Sequence, residues 1–64
     1  MNLYIYSLED LKHVATISGK DEGSIETKAN DAYDANEYGW TYSPAFGTND
    51  GLIENSEAEE ISVD

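Results

Sequence analysis

Residues 2–8, NLYIYSL, alternate Leu3 and Ile5 with Tyr4 and Tyr6, the two-residue period that sends successive side chains to opposite faces of a strand. Aromatic and β-branched types suit that pleated surface. Glu9 and Asp10 interrupt the alternation, and LKHVATIS then carries Val14, Thr16 and Ile17 toward Gly19. The pattern predicts a second strand, and the short link between the two predicts an antiparallel hairpin.

After the turn GKDEG the period changes. Ile25, Ala29, Ala32 and Asn36 recur at spacings of four, three and four, which places them on one helical face. A helix over 22–37 follows, with Asp21 or Ser24 capping its start, Glu22 and Glu26 favourably near the positive end of its dipole, and Gly39 ending it. Trp40, Thr41 and Tyr42 read as a third strand that Pro44 stops. The stretch AFGTNDG reads as a loop with a turn at 49–51, after which Leu52 and Ile53 form a short fourth strand. The remaining ENSEAEEISVD is acidic and poor in large apolar residues. Too little burial is available there to offset ordering costs, so 56–64 is expected to be a mobile tail on a compact domain spanning 1–55. The alternation of Ile61 and Val63 leaves an edge strand as the other reading.

The order ββαβ predicts an α+β fold: a small antiparallel sheet of three to four strands with one helix packed on one face. Its expected core is Leu3, Ile5, Val14, Ile17, Ile25, Ala29, Ala32, Tyr33, Trp40, Tyr42, Phe46, Leu52 and Ile53. A chain of 64 residues buries only about 60% of the surface it exposes unfolded, so no second lobe and no deep cleft are expected.

Charge changes the picture more than length does. Fourteen acids stand against Lys12, Lys20 and Lys28, for a formal net charge of −11. Such an excess opposes compaction by self-repulsion, and its sign excludes nucleic acid and anionic membranes as direct partners. A basic surface is the complementary partner. The chain has no cysteine and a single histidine, His13, which excludes a disulfide framework, a thiolate metal site and a histidine cluster. No basic leader opens the chain and no apolar run approaches the ~18 residues of a membrane span, so a cytoplasmic location is expected.

The densest segment is DAYDANEYGWTY at 31–42, with three carboxylates, four aromatic residues and no cation. At about 100° per residue, a helix through 37 puts Glu22, Glu26 and Glu37 on one flank of its outer half and Asp31 and Asp34 on the other. Asp31, Asp34 and Glu37 then climb the axis at about 4.5 Å per step, comparable to the spacing of phosphates along a DNA strand. Solvated helix faces are normally charged, but they normally carry both signs. Here the single sign continues into Glu9, Asp10, Asp50 and Glu54. Among the aromatic residues, Tyr33, Trp40 and Tyr42 are assigned to the core. Tyr38, with Tyr4 and Tyr6, is a candidate anchor for an interface.

The chemical alternatives fail on inspection. A calcium loop begun at Asp34 puts Tyr38 at its fifth position and Ala45 at its twelfth, and one begun at Phe46 lacks the first aspartate. With acids this numerous, a carboxylate pair is expected by chance and specifies no hydrolase. No enzymatic activity, cofactor or metal is therefore expected.

In size, acidity and ββαβ order, with DEGSIETKANDAYDANEY and ENSEAEE as its acidic segments, the chain resembles the small DNA-mimic inhibitors carried by phages and mobile elements, including anti-CRISPR and anti-restriction proteins. The resemblance rests on composition and organisation and carries over no residue position by position. It implies a non-enzymatic inhibitor that occupies the DNA-entry or PAM-reading surface of a Cas effector. The expected contact residues are Glu22, Glu26, Asp31, Asp34, Glu37, Tyr38, Asp50 and Glu54. An acidic interaction module or anti-restriction protein bound to another basic partner is the alternative, as is an accessory protein whose acidity only solubilises it.

Overall fold

A computed structural model describes residues 1–47 and 51–63. Its elements run β1 (Asn2–Ser7), β2 (His13–Ser18), α1 (Glu22–Ala32), β3 (Tyr38–Thr41) and β4 (Glu59–Ser62). They form one sheet in the order β3-β1-β2-β4. β1 pairs antiparallel with both β2 and β3, whereas β4 runs parallel to β2. The class is α+β as expected, but the sheet is mixed. Seventeen residues separate Thr41 from Glu59, long enough for a crossover from one edge to the other that delivers β4 in the direction of β2.

The hairpin closes through Ser7 N–H to the Lys12 carbonyl (3.0 Å) and Leu11 N–H to the Ser7 carbonyl (2.8 Å). Asp10 Oδ1 accepts from Lys12 N–H at 3.0 Å. Leu11 sits in the left-handed region at φ 59°, uncommon for a side chain of its bulk. Between Ile5 and Tyr6 the β1–β2 register slips, so Ile5 faces Ala15 while Tyr6 faces His13. Val14 is the extra residue of that bulge, and the slip brings Ala15 and Ile17 into line with Leu3 and Ile5.

Those four side chains are fully buried beneath Ile25 and Ala29 of the helix. Complete burial of a residue such as Ile25 contributes roughly 1.5–3 kcal/mol. The observed core corrects the expected one at several positions. Ala15 belongs to it, Val14 lies at its margin, Ala32 is exposed, and Ile53 is 54% exposed. Ile61 and Val63 close the margin on the β4 side.

Asp21 caps the helix, its Oδ2 accepting from Ser24 N–H at 3.0 Å and from Ser24 Oγ at 2.9 Å. The helix ends at Ala32, not at 37, and Gly39 lies inside β3 instead of ending the helix. Tyr33 is the C-cap in extended conformation, its N–H returning to the Ala29 carbonyl. Asp34 then builds a turn: its Oδ1 accepts from Asn36 N–H (2.9 Å), and its carbonyl accepts from Glu37 and Tyr38 N–H (both 2.9 Å). Asp and Asn side chains compete in this way with helical backbone bonds. The strand-forming YGWT that follows gains a ladder with β1 by leaving the helix.

Leu52 and Ile53 do not make a strand. Ile53 forms one isolated bridge to Lys12, and Leu52 is buried. Two of the three positions of the turn expected at 49–51, 49 and 50, lie outside the described residues. The chain expected to trail away from 56 instead supplies β4, with Ile17 opposite Ile61 and Ser18 opposite Ser62. On the sheet face away from the helix, Tyr4, His13 and Phe46 stack mutually, with ring centroids 5.4–5.8 Å apart.

Candidate functional site

The turn after the helix brings sequence-distant acids together. Leu8 N–H donates to the Glu37 carbonyl at 3.0 Å, fastening the β1–β2 turn to the α1–β3 turn. Glu9 and Glu37, with Leu8, Asn36 and Tyr38, consequently line one open groove of about 440 Å³. Asp10 follows Glu9 in the first turn and Asp34 begins the second. Glu9, Asp10, Asp34 and Glu37 are all exposed. So are two apolar side chains of the same hairpin turn, Leu8 at 47% and Leu11 at 36%.

The helix carries a second group of acids. Glu22 and Glu26 lie one turn apart, and Glu26 Oε2 accepts from the Tyr42 hydroxyl at 3.0 Å. A hydrogen bond with Glu26 and the repulsion between the two carboxylates hold the Glu22 carboxyl above its ordinary value. Burial, followed by the Glu26 carboxylate it touches, pushes the Tyr42 phenol up to about 12. At the other end of the helix Tyr33 meets Tyr38 edge-on at 5.2 Å and donates to Glu59 Oε2 at 3.4 Å. Its phenol is likewise raised, by burial first and by Glu59 second.

The expected contact residues therefore divide. Glu22 and Glu26 share the helix with Asp31, which lines a shallow groove with Asp21, Lys28 and Val63. Asp34 and Glu37 lie beyond the helix, so the rising ladder of Asp31, Asp34 and Glu37 does not form. Tyr38 is half-buried at the start of β3, beside the Glu37 groove. Glu54 is exposed on the opposite side of the sheet, in a hollow of about 210 Å³ with His13, Phe46 and Asn55. Asp50 lies outside the described residues. Leu8, Glu9, Asp10 and Leu11 enter the surface without having been singled out as contacts. In the sequence, Glu9 and Asp10 show only as a continuation of the single sign of charge, and nothing local marks Leu8 and Leu11 as exposed.

Among the described residues no group of three or more histidine, cysteine or carboxylate side chains is placed to hold a metal ion. No helix there is long and apolar enough to cross a membrane. No protein-family model, curated protein or solved structure matches the chain.

Proposed function

We propose that this protein is a non-catalytic inhibitor that lays its carboxylates against the basic nucleic-acid-binding surface of a partner and so keeps nucleic acid out. The observation that supports this reading most directly is the groove that Glu9 and Glu37 share at one end of the sheet, held by the Leu8–Glu37 backbone bond, with Asp10 and Asp34 exposed in the two turns that it fastens together. Carboxylates mounted on a fixed frame create a directed field, which steers association with a basic groove far more effectively than the same charges on free chain. The partner class that the resemblance suggests is a host defence complex, such as the DNA or PAM site of a Cas effector.

One feature favours a second reading. Exposed Leu8 and Leu11 beside the acidic turn are apolar contacts that a phosphate mimic does not need, and they suit an acidic interaction module bound to a basic partner elsewhere than at its nucleic-acid site. Immobilised protein exposed to host lysate separates the two. Duplex DNA should displace the captured partner if the surface mimics nucleic acid, whereas capture that is sensitive to salt yet indifferent to DNA supports the module. Capture insensitive to both would overturn each reading, because neither electrostatic contact would then be in play.

A further inference from the structure

The two edges of the sheet are unequally defended. β4 places Glu59 and Glu60 within its four residues, whereas β3, Tyr38–Thr41, has no charge and no proline. Edge strands ordinarily carry such devices because their unpaired N–H and C=O groups will accept another strand.

The register shows which groups β3 leaves open. The Leu8–Glu37 bond, with the pairs Tyr6–Gly39 and Tyr4–Thr41, assigns residues 37, 39 and 41 to the ladder with β1. The alternation of an antiparallel pair then turns the N–H and C=O of Trp40, and the N–H of Tyr42 just past the strand, to the outer edge. Their side chains lie on the helix-facing side, in edge-to-face contact at 6.3 Å, and both are half-buried. The helix packs over β1 and β2, which leaves this rim of the sheet outside its cover. Beside the rim stand Glu26, bonded to Tyr42, and Glu22.

We propose that the outer edge of β3 is a docking strand that accepts an extended lysine- or arginine-bearing segment of a partner protein as a fifth strand. Backbone bonds to Trp40 and Tyr42 supply the pairing, as in other cases of strand addition. Alternate side chains of the incoming segment lie over the two aromatic rings, where a cation is attracted to the ring face, and within reach of Glu22 and Glu26. Charge decides against a second copy of this chain, since two molecules of net charge −11 would bring like-charged rims together. The inference holds whether or not the partner's basic surface normally binds nucleic acid.

The test uses the full chain labelled for NMR and a synthetic peptide of about six residues alternating lysine with valine, a usual strand length. Saturating peptide should slow amide exchange at Trp40 and Tyr42 by about tenfold or more, with Gly39 and Thr41, already paired to β1, little changed. The same peptide N-methylated at alternate residues should lose about tenfold in affinity, as should its glutamate counterpart. Glu22→Gln should weaken binding by a smaller factor while preserving the exchange pattern. Absence of binding, unchanged exchange at Trp40 and Tyr42, protection confined to Glu59–Ser62 or to the Glu9–Glu37 groove, equal binding of the acidic peptide, or a dimer by light scattering would each overturn the proposal.

Discussion

The Tyr42 hydroxyl donates to Glu26 Oε2 at 3.0 Å and so ties the end of β3 to the second turn of the helix. The bond holds only while the phenol keeps its proton. Because the folded state raises that phenol to about 12, it binds the proton more tightly than the unfolded chain does. The stability this contributes is complete below the unfolded tyrosine value of about 10 and is lost as pH rises through about 12. Tyr42→Phe should make alkaline unfolding less steep in pH between those limits. Phenolate absorbance and circular dichroism followed together check this, and an unchanged slope would show that the bond does not form in solution.

On the acid side the sign is opposite to that of an ion-paired carboxylate. Glu22 is raised by Glu26, so the folded state holds the extra proton. Its contribution is fully present below the ordinary glutamate value and is lost as pH rises through the raised one. Melting temperature should therefore climb as pH falls through the raised Glu22 value toward the ordinary glutamate range. Salt added at pH 7 should act in the same direction by screening the repulsion. Glu22→Gln removes the repelling charge and should flatten both responses. A melting temperature that falls with acid and with salt would contradict the assignment.

Gly19 tests the attachment of β4. A Cβ at this position would lie 2.6 Å from the Val63 carbonyl oxygen and 2.9 Å from its Cγ2, and a backbone atom cannot swing aside as a side-chain tip can. Val63 N–H in turn donates to the Ser18 carbonyl at 2.8 Å. Gly19→Ala should cost about 1–3 kcal/mol, the usual range for overpacking, with the loss of amide protection concentrated at Glu59–Val63. Equal loss across β1 and β2 would mean that β4 and the hairpin unfold as one unit.

What the sequence shows plainly is the part governed by local periodicity. The alternation of Leu3 and Ile5, the spacing of Ile25 and Ala29, and the cap at Asp21 each depend on residues within one or two turns of chain, and β1 and the start of α1 stand where that pattern puts them. The failures share a cause, which is competition from distant chain. Asn36 fits the helical spacing, but Asp34 turns the backbone and β1 takes Tyr38–Thr41 into the sheet. The bulge at Val14 is visible only once β1 and β2 are paired, so Ala15 could not be recognised as core from its own segment. Ile61 and Val63 stand among acids, so their own segment leaves β4 as the second reading behind a mobile tail, yet the open edge of β2 accepts them beside Ile17 and Ile25. The same limit applies to the acidic surface. Its content was legible in the charge balance, but its arrangement depends on the contact of Leu8 with Glu37, 29 positions apart.

That arrangement determines which charges should matter for binding. Had the helix continued to 37, Asp31, Asp34 and Glu37 would have acted as one row. In the folded chain, Glu9 and Glu37 share one groove, Asp10 and Asp34 belong to the two turns joined there, and Asp31 belongs to a separate groove with Lys28. Replacing Glu9, Asp10, Asp34 and Glu37 by Gln, Asn, Asn and Gln removes their charge while retaining an oxygen for the bonds that Asp10 Oδ1 and Asp34 Oδ1 accept from Lys12 and Asn36 N–H. The fold should therefore survive. Partner capture should fall by about tenfold or more, chiefly through a slower association rate, because the summed field of the group acts on encounter more than any single pair does. Asp31→Asn alone should change capture by less than about twofold, as expected of an isolated exposed charge. Association rates measured across a salt series supply the check. If the fourfold variant associated as fast as the parent and with the same salt dependence, the acidic end of the sheet would not be the contact surface, and the β3 edge with Glu22 and Glu26 would remain as the place where a basic partner engages.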